Sequence, residues 1–228
     1  FSGNIGYIRL TQFSDKSARL FSAELDRLSK RGMKALIVDL RGNPGGYLHA
    51  AQDIAARFID NGVLIHTLDR NRVDHPVKIS GSKTVSVPVT VLVDNNSASA
   101  AEVLAGALQD YDLATVVGTT TFGKGSVQRI IPLKTGGVLK ITVEEYLTPH
   151  FRKVNGAGIT PDITVFGSLE QLVAALRVSG ASRVDLEIGN RAVSVNGVSF
   201  PLAVQWFRED SRVFIPSRLL AALVQADA

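Results

Sequence analysis

Two residues in this sequence combine reactive chemistry with a setting that could express it. Ser99 lies in "DNNSASAAEVLAGALQD" (94–110), between the apolar run "VPVTVLV" (87–93) and a stretch with helical spacing. Where a buried strand ends and a helix begins, open α/β sheets place their ligands. The free backbone amides and the helix dipole at that point stabilise a developing oxyanion. The same position also has a plainer use. Ser99-Ala-Ala-Glu102 fits a capping box, in which the serine bonds the backbone three residues on and the glutamate reaches back; such a cap is worth about 1 kcal/mol without any catalysis. Ser97, two residues earlier, reads as structural.

A serine hydroxyl becomes a nucleophile only beside a base. The four histidines, His49, His66, His75 and His150, show no recognisable triad arrangement with an aspartate. Lys124, in "TTTFGKGSVQ" (119–128), is the other candidate. Its neighbours are Gly123 and Gly125, with few charges nearby, so burial is expected; desolvation would lower its pKa from about 10.4 towards neutrality. The segment lacks the leading glycine of a phosphate-binding loop, which excludes that reading of its Gly-Lys-Gly.

The elements that must position these residues follow from hydrophobic periodicity. "GNIGYIRLTQF" (3–13) alternates as a strand, and "KSARLFSAELDRLSKRG" (16–32) has helical spacing with a glycine stop. "KALIVDL" (34–40) reads as a buried parallel strand closed by the turn "RGNPGG". "LHAAQDIAARFID" is helical, "GVLIHTL" a strand, "VPVTVLVD" a buried strand, "SAAEVLAGALQD" a helix and "ATVVGT" a short strand. This alternation implies an α/β domain. After "TFGKG" the pattern turns to two strands, "SVQRIIPL" and "VLKITVEEYL", around a "KTGG" hairpin turn. "SLEQLVAALRV" is an amphipathic helix and "SGAS" (179–182) a linker. Residues from 183 read as two strands broken by Gly-Asn, an Asn-Gly turn, a further strand and a closing helix. The expected division is therefore 1–182 and 183–228.

Composition narrows the function. The 228 residues are 45% hydrophobic and 20% charged, an ordinary globular balance with enough apolar material for a core. The formal charge of +4 is spread among acidic residues, and the tail's five arginines face five acids. Without a basic stripe interleaved with aromatics, a nucleic-acid partner is not expected. The absence of cysteine excludes disulfides, thiolate metal sites and a cysteine nucleophile. No apolar run reaches the roughly 18–20 residues of a membrane span. The chain opens at Phe1 rather than Met, which leaves room for a targeting segment upstream.

Four motifs in order, "LIVDLRGNPGG", "NSASAAEVLAGAL", "GTTTFGKGSVQ" and "NGAGITPDI", resemble the carboxyl-terminal processing peptidases, or tail-specific proteases. The likeness covers residues 1 to about 166. It implies a crotonase/ClpP-like α/β protease core with a β-rich extension. It also implies Ser99 as nucleophile, Lys124 as general base 25 residues on, and Gln128 orienting the lysine. In a fully extended chain the Lys124 and Gln128 backbones would lie about 13 Å apart, so a bend is expected, at Gly125. Beside the likeness, "DLRGNPGG" reads as an oxyanion element: the Ala100 N–H with that of Gly45 or Gly46, while Asp39 and Arg41 hold the turn. No metal or nucleotide cofactor is implied. Substrates would be proteins or peptides cut near their carboxyl termini, outside the cytoplasm in the bacterial envelope or periplasm, by a possible homo-oligomer.

Two departures from the family qualify these expectations. Members usually carry a PDZ domain just before the "GYI" strand, which residue 1 here already reaches, so tail selectivity is open. The tail from 183 resembles the small β-rich module like copper amine oxidase amino-terminal domains, which implies attachment or assembly. Two competing readings are a latent binding or scaffolding module of the same fold, and a crotonase-like acyl-transfer enzyme. The second does not require the Ser99, Lys124 and Gln128 set.

Overall fold

The protein is described here from a computed structural model, which covers residues 1–81, 83–188, 192–201, 207–209, 212–214 and 216–224. Its centre is a five-stranded parallel sheet in the order β1 (Ile5–Arg9), β2 (Ala35–Asp39), β5 (Val89–Val93), β6 (Thr115–Gly118), β9 (Ile163–Thr164). β2 and β5 are buried along their whole length, which is why the sequence shows them as apolar runs rather than alternations. Successive side chains still point to opposite faces. Leu36, Val38, Val89, Val91 and Val93 face a core built with α1 (Ser17–Lys30), α2 (Leu48–Ala55) and α3 (Ala100–Asp110). Ala35, Ile37 and Leu92 face the other side, where α4 (Ser168–Val178) lies.

A four-stranded antiparallel sheet covers the edge of this core, in the order β4 (Asp74–Ser80), β3 (Asn61–Asp69), β8 (Val138–Leu147), β7 (Ser126–Pro132). The hairpin of β7 and β8 turns through Gly136 and Gly137, as the sequence indicates. β4 is absent from the periodicity because it carries Pro76. At an edge the missing N–H breaks no ladder, so the strand forms there.

Residues 179–182 end α4 instead of leading away from it, and Ala181 is buried. Beyond them, β10 (Leu186–Ile188), β11 (Val193–Val195) and β12 (Val198–Phe200) form an antiparallel sheet, with Asn196-Gly197 as the turn between the last two. β13 (Phe207–Glu209) pairs with β14 (Arg212–Phe214), and α5 (Ser217–Val224) closes the chain. Val193, Val195, Leu219 and Ala222 share one apolar cluster with α4 and the parallel sheet. The expected Gly-Asn break at 189–190 lies outside the described residues.

Candidate active site

The parallel pairing of β2 with β5 sets their carboxyl ends side by side, with Asp39 opposite Leu92. The loops that leave them, 40–47 and 94–99, are stitched together. Asn43 is fully buried; its Nδ2 donates to Leu10 O at 2.7 Å, and its carbonyl accepts the Ala98 N–H at 2.9 Å. Ser97, also fully buried, donates its hydroxyl to Leu40 O at 2.8 Å. Gly42 N–H reaches Asp94 Oδ1 at 2.9 Å. Ser97 therefore works as a tie, and Asn43, which the sequence reading passed over, is the other half of the stitching.

Ser99 follows with φ 55° and ψ −118°, a backbone region that non-glycine residues rarely occupy. Strained positions of this kind persist only where the surroundings over-determine them. Here the capping box forms as its sequence predicts, and Glu102 Oε2 accepts the Ser99 N–H at 2.8 Å. The glutamate does more than cap. It is fully buried, and the same Oε2 accepts the Lys124 N–H at 2.8 Å. Its Oε1 accepts the Gly123 N–H at 2.7 Å and the Thr121 hydroxyl at 2.5 Å. Four donors from two segments more than 20 residues apart thus converge on one carboxylate.

The lysine turn is pressed from its other side by residues 154–159. Gly156 N–H donates to Gly123 O at 2.8 Å, and Ile159 N–H to Thr121 Oγ1 at 2.7 Å. A Cβ on Gly125 would stand 2.3 Å from Asn155 N. The glycine is there for close approach. Beyond it, the pairing of β7 with β8 shifts register between Val127 and Gln128, where β8 carries the extra residue Val143.

Packing on that side buries Gly123 and Gly125 and leaves Lys124 exposed, in contrast to the burial its neighbours suggested. Gln128 is exposed as well. Among the described hydrogen bonds none joins the Ser99 hydroxyl to the Lys124 ammonium, nor Gln128 to Lys124. The structure brings the two backbones together on one carboxylate.

Gly45 lies against the serine turn, and Gly46, next to it, against the backbone of Phe13. Gly45 has φ +95°, and a Cβ there would be 2.6 Å from Ala98 O and 2.8 Å from both Ala100 N and Ser99 Cβ. Its N–H donates to Asn43 Oδ1 at 2.8 Å. Among the described hydrogen bonds, the N–H groups of Gly46 and Ala100 have no acceptor. Behind the turn, Asp39 is almost fully buried and takes two hydrogen bonds from the Arg41 guanidinium, at 2.9 and 2.6 Å, and one from Tyr7 at 2.6 Å. Burial pushes the Asp39 carboxyl up, but the hydrogen bonds and charge of Arg41 outweigh it and hold the group below its usual range. Arg41 also donates to Ser168 O at 2.5 Å, anchoring the turn to α4.

The histidines are engaged elsewhere. His49 lies 3.2 Å from Asp15, and His66 Nδ1 lies 2.7 Å from Asp74. Among the described hydrogen bonds none links a histidine to Ser99.

Comparison with known proteins gives concordant results. Peptidase family S41 matches this chain over residues 4–165. A carboxyl-terminal-processing protease of Synechocystis sp. is 36% identical over 201 residues, covering 87% of this chain and 47% of that protein. A carboxy-terminal-processing protease of Bartonella bacilliformis is 42% identical over 170 residues, covering 72% and 39%. The solved photosystem II D1 C-terminal processing protease superposes with a TM-score of 0.71 at 32% identity, covering 78% of this chain and 47% of its own. The chain spans less than half the length of these relatives.

Proposed function

The chain belongs to peptidase family S41, and on that premise we propose that it carries the catalytic part of a serine-type endopeptidase that cuts polypeptides near their carboxyl termini. Ser99 is the nucleophile and Lys124 the general base. The observation that supports this most strongly is the shared acceptor: one oxygen of buried Glu102 takes the N–H of both residues at 2.8 Å. Glu102 thereby fixes the distance between a nucleophile-bearing turn and a base-bearing turn that the sequence separates by 25 positions.

In the reaction, Lys124 takes the proton of the Ser99 hydroxyl as Ser99 Oγ attacks the scissile carbonyl. The oxyanion forms beside the open Ala100 N–H at the start of α3 and the glycine pair 45–46. Gly46 presents an open N–H, whereas Gly45 must first release Asn43 Oδ1. Protonated Lys124 then gives its proton to the leaving amine, and the same lysine activates the water that hydrolyses the acyl-enzyme. We read substrate binding as the step that turns Lys124 towards Ser99, with Gln128 orienting it.

We further place this peptidase outside the cytoplasm, in a bacterial envelope, and read residues 183–228 as a unit for assembly. Among the described residues no helix is long and apolar enough to cross a membrane. The deciding experiment is cleavage of an unfolded protein by the unaltered chain beside Ser99→Ala and Lys124→Ala. Loss of cleavage in both variants, with circular dichroism unchanged, is the expected result. Cleavage that survives Lys124→Ala would remove the lysine from the base role and return attention to the histidines.

A further inference from the structure

Glu102 accounts for the N–H groups of Ser99 and Lys124, and a second side chain reaches their carbonyls. Tyr146, near the end of β8, is 4% exposed. Its one hydroxyl hydrogen is shared between two carbonyls, Lys124 O at 2.7 Å as the main acceptor and Ser99 O at 3.2 Å as the longer arm. Its own N–H donates to Gly125 O at 2.8 Å, so the residue is seated on the lysine turn by its backbone and across to the serine by its side chain. Ser99 O also accepts the first helical bond, from Val103 N–H at 2.9 Å. Among the described hydrogen bonds, the Tyr146 hydroxyl is the only donor to Lys124 O. Burial, with the Glu102 charge adding to it, raises the phenol's pKa well above the ordinary tyrosine value, so the hydroxyl remains a donor.

We propose that Tyr146 is a positioning residue for the Ser99–Lys124 pair: together with Glu102 it brackets both backbones, N–H groups on the carboxylate and carbonyls on the phenol, and so sets the separation from which the lysine side chain must reach the serine. The proposal rests on the reading of Ser99 and Lys124 as nucleophile and base. Two crossbars constrain more than one does. Glu102 holds the lysine turn by three donors but the serine turn by the Ser99 N–H alone, and the shared phenol hydrogen adds a carbonyl contact on each side. The strained φ of Ser99 requires that kind of over-determination. Because Tyr146 belongs to β8, the tie also makes the antiparallel sheet part of the site's frame and not only a cover for the core.

The test uses the full chain and two matched variants. Tyr146→Phe removes only the hydroxyl. Tyr111→Phe is the control, because the Tyr111 hydroxyl also bridges backbone, donating to Val63 O at 3.0 Å and accepting Val63 N–H at 2.9 Å. It lies twelve residues along α3 from Ser99, roughly 18 Å at 1.5 Å per residue. Amide hydrogen exchange needs no turnover and reads the tie directly. The Ser99 and Lys124 N–H groups are expected to exchange about tenfold faster or more in Tyr146→Phe, the effect of one lost buried hydrogen bond, and at the native rate in Tyr111→Phe. For cleavage of an unfolded protein, kcat is expected to fall about tenfold in Tyr146→Phe with KM near its native value, and to hold in Tyr111→Phe. Native exchange at both amides in Tyr146→Phe overturns the proposal, and so does a kcat loss no larger than that of the control. Cleavage that persists in Ser99→Ala or Lys124→Ala refutes the underlying assignment instead, and the exchange comparison then still decides whether Tyr146 joins the two turns.

Discussion

Replacing Glu102 with glutamine is the sharpest probe of what this buried carboxylate does. Glutamine has the same shape, but one oxygen becomes an NH2 that donates rather than accepts. With the amide oxygen placed where Oε2 stands, the Ser99 and Lys124 N–H groups keep their acceptor. The NH2 then faces Thr121 Oγ1 and Gly123 N–H. The threonine hydroxyl can rotate to accept, which leaves one buried N–H unpaired, at a cost of roughly 1–3 kcal/mol. The opposite placement leaves two N–H groups unpaired and is disfavoured by about as much again. Glu102→Gln is therefore expected to destabilise the fold by roughly 1–3 kcal/mol while retaining the tie between Ser99 and Lys124, and to keep measurable cleavage. Glu102→Ala leaves three N–H groups without an acceptor and is expected to cost several kcal/mol, on the order of half of a typical domain's stability, and to abolish cleavage. Urea unfolding followed by tryptophan fluorescence or circular dichroism gives the stabilities, and initial rates at matched folded fraction give the activities. If glutamine and alanine were equally inactive once matched for folding, the negative charge would be the operative feature, and the account of Glu102 as a holder of amides would fail.

Three further perturbations follow from the same geometry. Gly45→Ala is expected to lose roughly 1–3 kcal/mol, the usual cost of a side chain forced into a left-handed backbone, because its φ is +95° and its Cβ would overlap Ala98 O; urea midpoints and cleavage rates should fall together, and a native midpoint would contradict the close packing. Gly125→Ala, whose Cβ would meet Asn155 N at 2.3 Å, is expected to cost about 1–3 kcal/mol through overpacking and to lower kcat by displacing Lys124; a crystal structure of the variant with an unmoved turn would refute this. The Asp39 carboxyl is held below its ordinary value in the folded state, so its contribution is present above about pH 4, the unfolded value, and is lost as pH falls through the folded one. Asp39→Asn should accordingly flatten the decline of the urea midpoint below about pH 4, and an unchanged slope would remove Asp39 from the acid transition.

The parallel core was legible because its strands are buried on both faces, which writes β2 and β5 as apolar runs that nothing else in the chain imitates. β4 was not, because Pro76 argues against a strand until the strand is known to lie at an edge. The two-residue β9 is too short for any periodicity. Ser99, Lys124 and the glycine pair were candidates from local turn chemistry, and it was the four-motif resemblance that singled out Ser99 and Lys124. The exposure of Lys124 was not legible, since it depends on which side of the turn residues 154–159 pack against, a contact made across some 30 positions. Asn43 was hidden inside a segment read only for its glycines, although a buried side-chain amide in a tight turn is a recurrent way to satisfy loop backbone.

Glu102 shows why capping and catalysis are not alternatives at this serine. A capping glutamate needs one oxygen for the serine N–H, and an exposed cap leaves the remaining lone pairs to water. Here the carboxylate is fully buried, so water cannot serve them, and unpaired buried acceptors are costly. The lone pairs must instead be met by protein donors, and they are met by Thr121, Gly123 and Lys124. Burying the cap thus forces a second segment against the first, and the segment recruited is the one that carries Lys124, the proposed base. A Ser-x-x-Glu helix start is common and uninformative while its glutamate is solvated; it acquires catalytic meaning when the glutamate is buried and a Gly-Lys turn supplies its missing donors.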